Sequence, residues 1–153
     1  MLDRVSIENN TRPGLAVPVL VSLRVNAKPE RVWRSLIDPE ELAAWFWPRK
    51  LQPAATLEAK TGGSYRISAA SPPMAVSGEY LELTRPQRLI MTWQWDGDEH
   101  TSTVTIDLVP ARDGTDLQVV HDGLPAEAVE AHRTGWSDCL RRLPAHLAGT
   151  DAA

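Results

Sequence analysis

The stretch that decides the fold runs from Pro29 to Glu41 and reads PERVWRSLIDPEE. Its first half has apolar side chains at the i, i+1, i+4 and i+5 spacing of one helical face. These side chains are Val32, Trp33, Leu36 and Ile37. Asp38 then offers a carboxylate for the N-cap of a second helix, with Pro39 at its first position and Glu41 at its third, which is a capping-box arrangement. The stretch therefore predicts two short helices in succession, the second ending at Pro48.

The sequence on both sides of these helices alternates with the period of two that is typical of half-buried strands. Val17–Val25 predicts one strand before them. Six further strands are predicted after them, with turn dipeptides such as Asp113-Gly114 in between. They are Thr56–Ala59, Ser64–Ala69, Ala75–Leu83, Arg88–Trp95, Ser102–Val109 and Thr115–Val120. Short turns between successive strands indicate an antiparallel meander.

A long helix from Pro125 to Leu143 is predicted near the C-terminal end. Its apolar face comprises Val129, His132, Trp136, Cys139 or Leu140, and Leu143. Pro144 is expected to kink or stop this helix, because proline lacks a backbone donor. A twisted antiparallel sheet of this size curls, and the long helix is the element able to cover its concave face. The element order therefore predicts an α+β fold with room for an apolar cavity beneath the helix.

The length of the chain indicates its domain organisation. A chain of 153 residues suits one domain, since domains commonly contain roughly 100–200 residues. We expect residues 15–148 to form that domain and residues 149–153 to be a frayed tail. Residues 1–14 are expected to be an N-terminal arm or a short extra strand.

The composition argues against several classes of function. Sixteen basic and 20 acidic residues give a formal net charge of −4, the wrong sign for a general nucleic-acid binder. The single cysteine, Cys139, cannot form an internal disulfide, and the histidines lack metal-site spacing, so no metal or other cofactor is expected. No secretory signal and no membrane span are predicted, which makes a cytoplasmic location the expectation. Arg141 and Arg142, the one adjacent arginine pair, are expected on a solvated helix face.

Four segments of the chain carry a family resemblance. They are Pro29–Glu40, Gly62–Arg66, Gly78–Leu83 with Leu89–Trp93, and Gly135–Leu143. Together they resemble the SRPBCC (START/Bet v 1-like) superfamily, and more narrowly its AHSA1-like branch, named for the C-terminal domain of the activator of Hsp90 ATPase. The resemblance implies a helix-grip fold: a curved antiparallel sheet of about seven strands, two short helices, and a long C-terminal helix over the concave face. Members of the superfamily bind lipids, hormones and polyketides, and some catalyse cyclisation, so the resemblance does not choose between binding and catalysis.

Aromatic residues supply most of the candidate ligand contacts. The chain has six tryptophans and one phenylalanine, and indole walls suit a flat apolar ligand while adding a hydrogen-bond donor. The candidate ligand-binding residues are Trp45, Tyr65, Tyr80, Met91, Trp93, His121, His132, Trp136 and Leu140. The same side chains are also what an ordinary packed core would contain. In either case the long helix is expected to bring Trp136 over Met91 and Trp93.

Three functions stay open at this point. The leading hypothesis is a non-catalytic protein that holds a small apolar molecule, either a lipid or an aromatic, polyketide-like compound. The second is a cyclase or dehydratase, in which at least two of His121, His132, Tyr65 and Glu82 converge to transfer protons. The third is a protein-interaction module, such as a chaperone accessory, with an exposed apolar patch around Trp45–Trp47. A monomer and a homodimer are both compatible with the sequence.

Whether Glu82 can take part in the second hypothesis depends on which face of the sheet its side chain lies on. Glu82 faces inward if it alternates with Tyr80, and outward if Leu81 and Leu83 face inward. A bulge near Gly78 would reverse either answer.

Overall fold

Seven antiparallel strands form a curved sheet in the computed structural model, which describes residues 17–149. The strands are β1 (Val19–Val25), β2 (Pro53–Leu57), β3 (Ser64–Ala70), β4 (Pro73–Thr84), β5 (Arg88–Trp95), β6 (Ser102–Ala111) and β7 (Gly114–Asp122). The helices are α1 (Pro29–Ile37), α2 (Pro39–Trp45), α3 (Val129–Arg141) and α4 (Leu143–Leu147), with 3-10 turns at Arg49–Leu51 and Ala126–Ala128. The arm predicted for residues 1–14 and residues 150–153 of the predicted tail lie outside the described residues.

The strand order is β1-β7-β6-β5-β4-β3-β2. Successive strands from β2 to β7 are neighbours, as the predicted meander requires, and β1 adds to β7. Because β1 and β2 are the two edge strands, α1 and α2 carry the chain from one edge of the sheet to the other. The predicted α+β helix-grip fold is therefore confirmed. No helix within residues 17–149 is long and apolar enough to span a bilayer.

Asp38 begins α2 as predicted. Its Oδ1 accepts hydrogen bonds from the backbone N–H groups of Glu40 at 2.9 Å and Glu41 at 3.1 Å. A complete capping box would also have the Glu41 side chain accept a hydrogen bond from the Asp38 N–H. That N–H instead donates to the Arg34 carbonyl at the end of α1. The Glu41 carboxylate is instead 2.8 Å from Nε2 of His146, which ties α2 to α4.

The prediction of one helix from Pro125 to Leu143 is wrong at both ends. The chain first makes a 3-10 turn, α3 starts at Val129 and ends at Arg141, and α4 follows. Pro144 lies in the first turn of α4, where a missing N–H leaves no intrahelical bond unmade. The proline therefore divides the helix, as expected of it, and the chain continues helically beyond it.

The predicted strand Thr56–Ala59 is also misplaced. The observed β2 begins three residues earlier, at Pro53, which pairs with Ala69 of β3, and it ends where Leu57 pairs with Tyr65. Pairing with β3 thus decides the limits of a segment whose own alternation is weak. The strand Arg88–Trp95 is confirmed at both ends.

A β-bulge interrupts β4, but it lies between Tyr80 and Glu82 rather than near Gly78. Leu81 is the extra residue, and its side chain is 47% exposed. Beyond it Glu82 pairs with Ile90, so Glu82 no longer alternates with Tyr80. Tyr80 stays buried on the inner face. Glu82 accepts a hydrogen bond from the Thr84 hydroxyl at 2.6 Å at the surface, so it is not a cavity carboxylate.

Candidate functional site

The space between α3 and the sheet is almost entirely filled by side chains. The enclosed volume that remains is about 20 Å³, room for about one water molecule. Several of the predicted ligand-binding residues line this remnant: Trp45, Tyr65, Tyr80, Met91, Trp136 and Leu140. The ring centroids of Trp136 and Trp93 are 5.2 Å apart, so the helix is packed against the sheet at this point. Side chains, and not open space, occupy the interior.

An open groove of about 490 Å³ lies beside this packed interior. Its walls are α3, the segment that follows α2, and the adjoining ends of β4 and β5. The lining residues are Phe46, Trp47, Pro48, Leu51, Met74, Trp93, Trp95, Ala131, His132, Gly135, Trp136, Asp138 and Cys139. The volume is within the range of small-molecule sites, about 300–1,000 Å³. Trp93, His132 and Trp136 are the predicted ligand-binding residues that the groove brings together.

A larger surface depression of about 1010 Å³ has a different character. Charged residues of adjacent strands cross it as ion pairs: Arg24 with Asp116, and Arg88 with Asp107 at 2.7 Å. These charges neutralise one another at exposed positions. The groove, with its apolar lining, is therefore the better candidate site for an apolar ligand.

Phe46 separates the groove from the interior, because its ring lines both spaces. Its centroid is 5.7 Å from that of Trp136 and 6.3 Å from that of Trp93. Trp47, the next residue, stacks on Trp95 with centroids 6.0 Å apart and planes 13° apart. Edge-to-face and offset-stacked arrangements of this kind stabilise aromatic clusters. The result is a continuous aromatic wall between α2, β5 and α3.

His121, on β7, is fully buried behind this wall. The Trp136 Nε1–H donates to its Nδ1 at 3.0 Å, and its Nε2 is 2.7 Å from the Ser102 hydroxyl. Because an indole N–H can only donate, Nδ1 is the acceptor and the neutral ring carries its proton on Nε2. Burial lowers the pKa of His121 to about 3, and the neighbouring His132 adds to this shift. His121 therefore holds Trp136 in place as a neutral acceptor.

His132, on α3, has its own pair of hydrogen bonds. The Trp95 Nε1–H donates to its Nε2 at 3.0 Å, and its Nδ1–H donates to the Ala128 carbonyl at 2.8 Å. The rings of His121 and His132 are close, with centroids 5.0 Å apart. However, all four ring nitrogens are engaged by the protein itself. The pair is arranged to orient two indoles, and neither ring presents a free lone pair to the groove.

The remaining candidate acid–base groups are spread over the sheet. The Tyr65 hydroxyl donates to the Thr92 carbonyl at 2.5 Å, and burial raises the pKa of Tyr65 and Tyr80 well above the ordinary range of a phenol. Burial likewise raises the pKa of the Cys139 thiol to about 12. Tyr65 and Tyr80 line the interior remnant rather than the groove. No cluster of three potential metal ligands occurs among residues 17–149.

One buried polar atom of the wall lacks a partner. Trp93 is 4% exposed, and its Nε1–H makes no hydrogen bond with any residue in the described part of the chain. By contrast, the indole of Trp45 donates to the Ser35 carbonyl at 2.9 Å. A buried donor without an acceptor is rare in folded proteins and requires an explanation.

Arg142, the residue that follows α3, joins the end of α3 to the end of α2. Its Nε donates to the Trp45 carbonyl at 3.1 Å and its Nη2 to the Phe46 carbonyl at 2.8 Å, while Nη1 contacts Asp138 at 2.8 Å. The guanidinium thus caps the last carbonyls of α2 from α3. The Arg142 side chain is only 27% exposed, so the prediction that both arginines lie on a solvated helix face is wrong for Arg142. The prediction is correct for Arg141, whose side chain is exposed.

Comparison with known proteins places this geometry in a family. Residues 26–148 match the family described as activator of Hsp90 ATPase homolog 1-like protein. The chain belongs to this family. The AHSA1-like resemblance of its sequence segments is thereby confirmed.

The family has characterised and structurally solved relatives. The human activator of 90 kDa heat shock protein ATPase homolog 1 is 32% identical over 108 residues, which are 66% of this chain and 31% of that protein. The chain therefore spans about a third of the length of this relative. A crystal structure of a Chromobacterium violaceum protein is 31% identical, with a TM-score of 0.74 over 85% of this chain and 96% of that one. A protein of the dynemicin biosynthetic locus is 25% identical, with a TM-score of 0.75 over 86% of this chain and 47% of that one.

Part of the groove was not predicted from the sequence. The α3 residues that line it are Ala131, His132, Gly135, Trp136, Asp138 and Cys139. All of them except Asp138 follow an i, i+1, i+4, i+5, i+8 spacing, so the groove face overlaps the predicted apolar face and extends it to Ala131 and Gly135. The contributions of Leu51 and Met74 had no such signal, since they depend on how two segments distant in sequence approach α3.

Proposed function

We propose that this protein is a non-catalytic binding protein for a small apolar, aromatic molecule, which it holds in the groove beside α3. The observation that carries the proposal is the groove itself: about 490 Å³ of open space with indole walls. Aromatic faces and a few polar groups are the usual lining of small-molecule sites.

The arrangement of polar groups supports binding over catalysis. The nitrogens of His121 and His132 are all engaged within the protein, and Glu82 lies at the surface. A general base must come within hydrogen-bond reach of the proton that it removes, with a free lone pair to accept it. These groups support an orienting role for the histidines, and they leave His121, His132 and Glu82 unsuited to act as the base of a cyclase or dehydratase in the groove.

A second candidate function is a chaperone accessory role. Family membership and the human relative, an activator of the 90 kDa heat shock protein ATPase, favour it. However, Trp45, Phe46 and Trp47 are 1%, 3% and 7% exposed, so they do not form the exposed docking patch that this role was expected to use. We expect the steady-state ATPase rate of Hsp90 to rise on titration with this protein if the role applies. An unchanged rate at saturating protein would contradict it.

Gly135 allows a direct test of the groove. An added Cβ at Gly135 meets no atom within 4 Å, and the residue lines the groove from α3. We expect Gly135→Leu to weaken binding of naphthalene by at least about tenfold, because the new side chain occupies the space of the ligand. Binding would be measured by isothermal titration calorimetry or by NMR shifts of the indole N–H groups.

Gly135→Ala is the matched control for this experiment. Both substitutions raise helix propensity by up to about 1 kcal/mol, so both variants should melt at or above the native temperature. Only leucine is large enough to obstruct the groove, so the alanine variant should retain most of the affinity. If native protein binds neither naphthalene nor 2-acetylnaphthalene, or if leucine leaves the affinity unchanged, the groove is not the binding site.

A further inference from the structure

The unpartnered Trp93 N–H indicates that the ligand carries a hydrogen-bond acceptor. Among the indoles of the wall, Trp95 donates to His132 and Trp136 donates to His121, each at 3.0 Å. Trp93 lies between them in the same cluster, yet its buried Nε1–H has no acceptor in the described part of the chain. Leaving such a donor unpaired is unfavourable, whereas an acceptor brought by a ligand would recover that free energy.

Two other polar side chains of the groove lining are already engaged within the protein. Both nitrogens of His132 have partners in the protein. The Asp138 carboxylate accepts hydrogen bonds from Arg141 at 2.6 Å and Arg142 at 2.8 Å. Among residues 17–149, Trp93 Nε1 is the buried side-chain polar atom of the lining that has no partner.

The charges at the groove select against an ionised ligand. Among the described residues, its lining contains the carboxylate of Asp138 and neither lysine nor arginine. A ligand carboxylate would find no lysine or arginine in the lining to pair with, and removing an unpaired charge from water is unfavourable. A cationic group would suit the aromatic faces, but it cannot itself accept a hydrogen bond from Trp93. An uncharged molecule with an acceptor oxygen fits both conditions.

We infer that the ligand is an uncharged aromatic compound carrying a carbonyl or ether oxygen, which accepts a hydrogen bond from Trp93 Nε1. The inference rests on the proposed function, since it specifies the occupant of the same groove. Nε1 is closed off from solvent, so the oxygen must displace a neighbouring ring to reach it. Phe46 and Trp136 both border the groove and the interior beside Trp93, and Phe46 is the one that no side-chain hydrogen bond holds in place.

Three naphthalenes with substituents of similar shape test this inference. 2-Acetylnaphthalene carries the carbonyl, 2-isopropenylnaphthalene replaces that oxygen by carbon, and 2-naphthoate replaces the methyl group by a charged oxygen. Dissociation constants are measured for native protein and for Trp93→Phe, which keeps an aromatic ring and removes the N–H. We expect the preference for ketone over hydrocarbon to be about tenfold greater in native protein than in the variant. Because both proteins bind the same two compounds, comparing the ketone preference of native protein with that of the variant cancels the difference in hydration between the probes.

Trp95→Phe is the matched control, because the Trp95 N–H is already engaged by His132. It should weaken ketone and hydrocarbon by similar factors and leave the preference intact. In native protein, the Trp93 indole N–H signal should move downfield with the ketone and not with the hydrocarbon. This NMR measurement needs no variant, so it holds even if Trp93→Phe folds poorly.

The outcomes separate the two proposals. If both neutral probes bind and the preference is equal in native protein and Trp93→Phe, or if both probes shift the Trp93 signal alike, the assignment of Trp93 is overturned while the groove remains a binding site. Tighter binding of 2-naphthoate than of the ketone would overturn the requirement for an uncharged ligand. If neither neutral probe binds native protein, the proposed function fails and this inference fails with it.

Discussion

Replacing Trp136 by alanine is expected to lower the free energy of unfolding by about 3–5 kcal/mol, as truncation of a large buried aromatic side chain usually does. Trp136 is 3% exposed and packs between Trp93 and Phe46, with centroid distances of 5.2 and 5.7 Å. Its N–H also donates to His121. The variant therefore loses the packing of α3 on the sheet and leaves a buried acceptor on His121 without a donor.

Urea denaturation followed by far-UV circular dichroism measures this loss. Trp136→Phe is the control, since it keeps an aromatic ring and removes the hydrogen bond to His121. We expect it to cost about 1–3 kcal/mol, between the native protein and the alanine variant. A loss below about 1 kcal/mol for Trp136→Ala would contradict the packed interior and would favour an open cavity beneath α3.

Acid is expected to destabilise the protein through His121. Burial holds the pKa of His121 at about 3 in the folded state, against an ordinary value of 6.5. The unfolded chain therefore binds a proton below pH 6.5 that the folded protein does not take up until about pH 3. Stability consequently falls as the pH falls through this window, by about 1.4 kcal/mol per pH unit. Between about pH 6.5 and pH 4.5 the expected loss is roughly 2–3 kcal/mol.

His121→Gln isolates this contribution. A glutamine amide can accept from Trp136 and donate to Ser102, but it does not titrate. Carboxylates that titrate in the native protein, such as Glu41 and Asp138, titrate in the variant too, so the difference between the two stability–pH curves reports His121. We expect the difference in free energy of unfolding between native protein and His121→Gln to become steadily smaller as the pH falls below 6.5. Parallel curves would show that His121 is protonated in the folded protein or exposed to solvent.

The fold was largely predictable because its signals are local. The Asp38 cap, the α1 face and the β5 limits each follow from side chains within one segment, and the structure confirms them. One error occurs where a distant segment decides: β2 takes its limits from pairing with β3. The other error is local, because periodicity alone did not separate α3 from α4.

The site was less predictable, for a geometric reason. Periodicity indicated that Trp93, Trp136 and His132 face inward, but the free volume near them depends on how closely α3 approaches the sheet. That approach is close, so the expected space lies beside the helix rather than beneath it. The bridging role of Arg142 also depends on tertiary structure, since its acceptors at Trp45 and Phe46 are nearly a hundred residues earlier.

The aromatic wall has an optical consequence. Trp93 lies 5.2 Å from Trp136 and 5.7 Å from Trp95, with ring planes inclined at 44° and 86°. At such separations the electronic transitions of neighbouring indoles couple strongly, because dipole coupling falls with the cube of distance. Since the rings are mutually inclined, the coupled transitions absorb left and right circularly polarised light unequally and give an exciton couplet. The amplitude of this couplet should therefore change whenever α3 and β5 move relative to each other, and it can be measured without attaching a label to the protein.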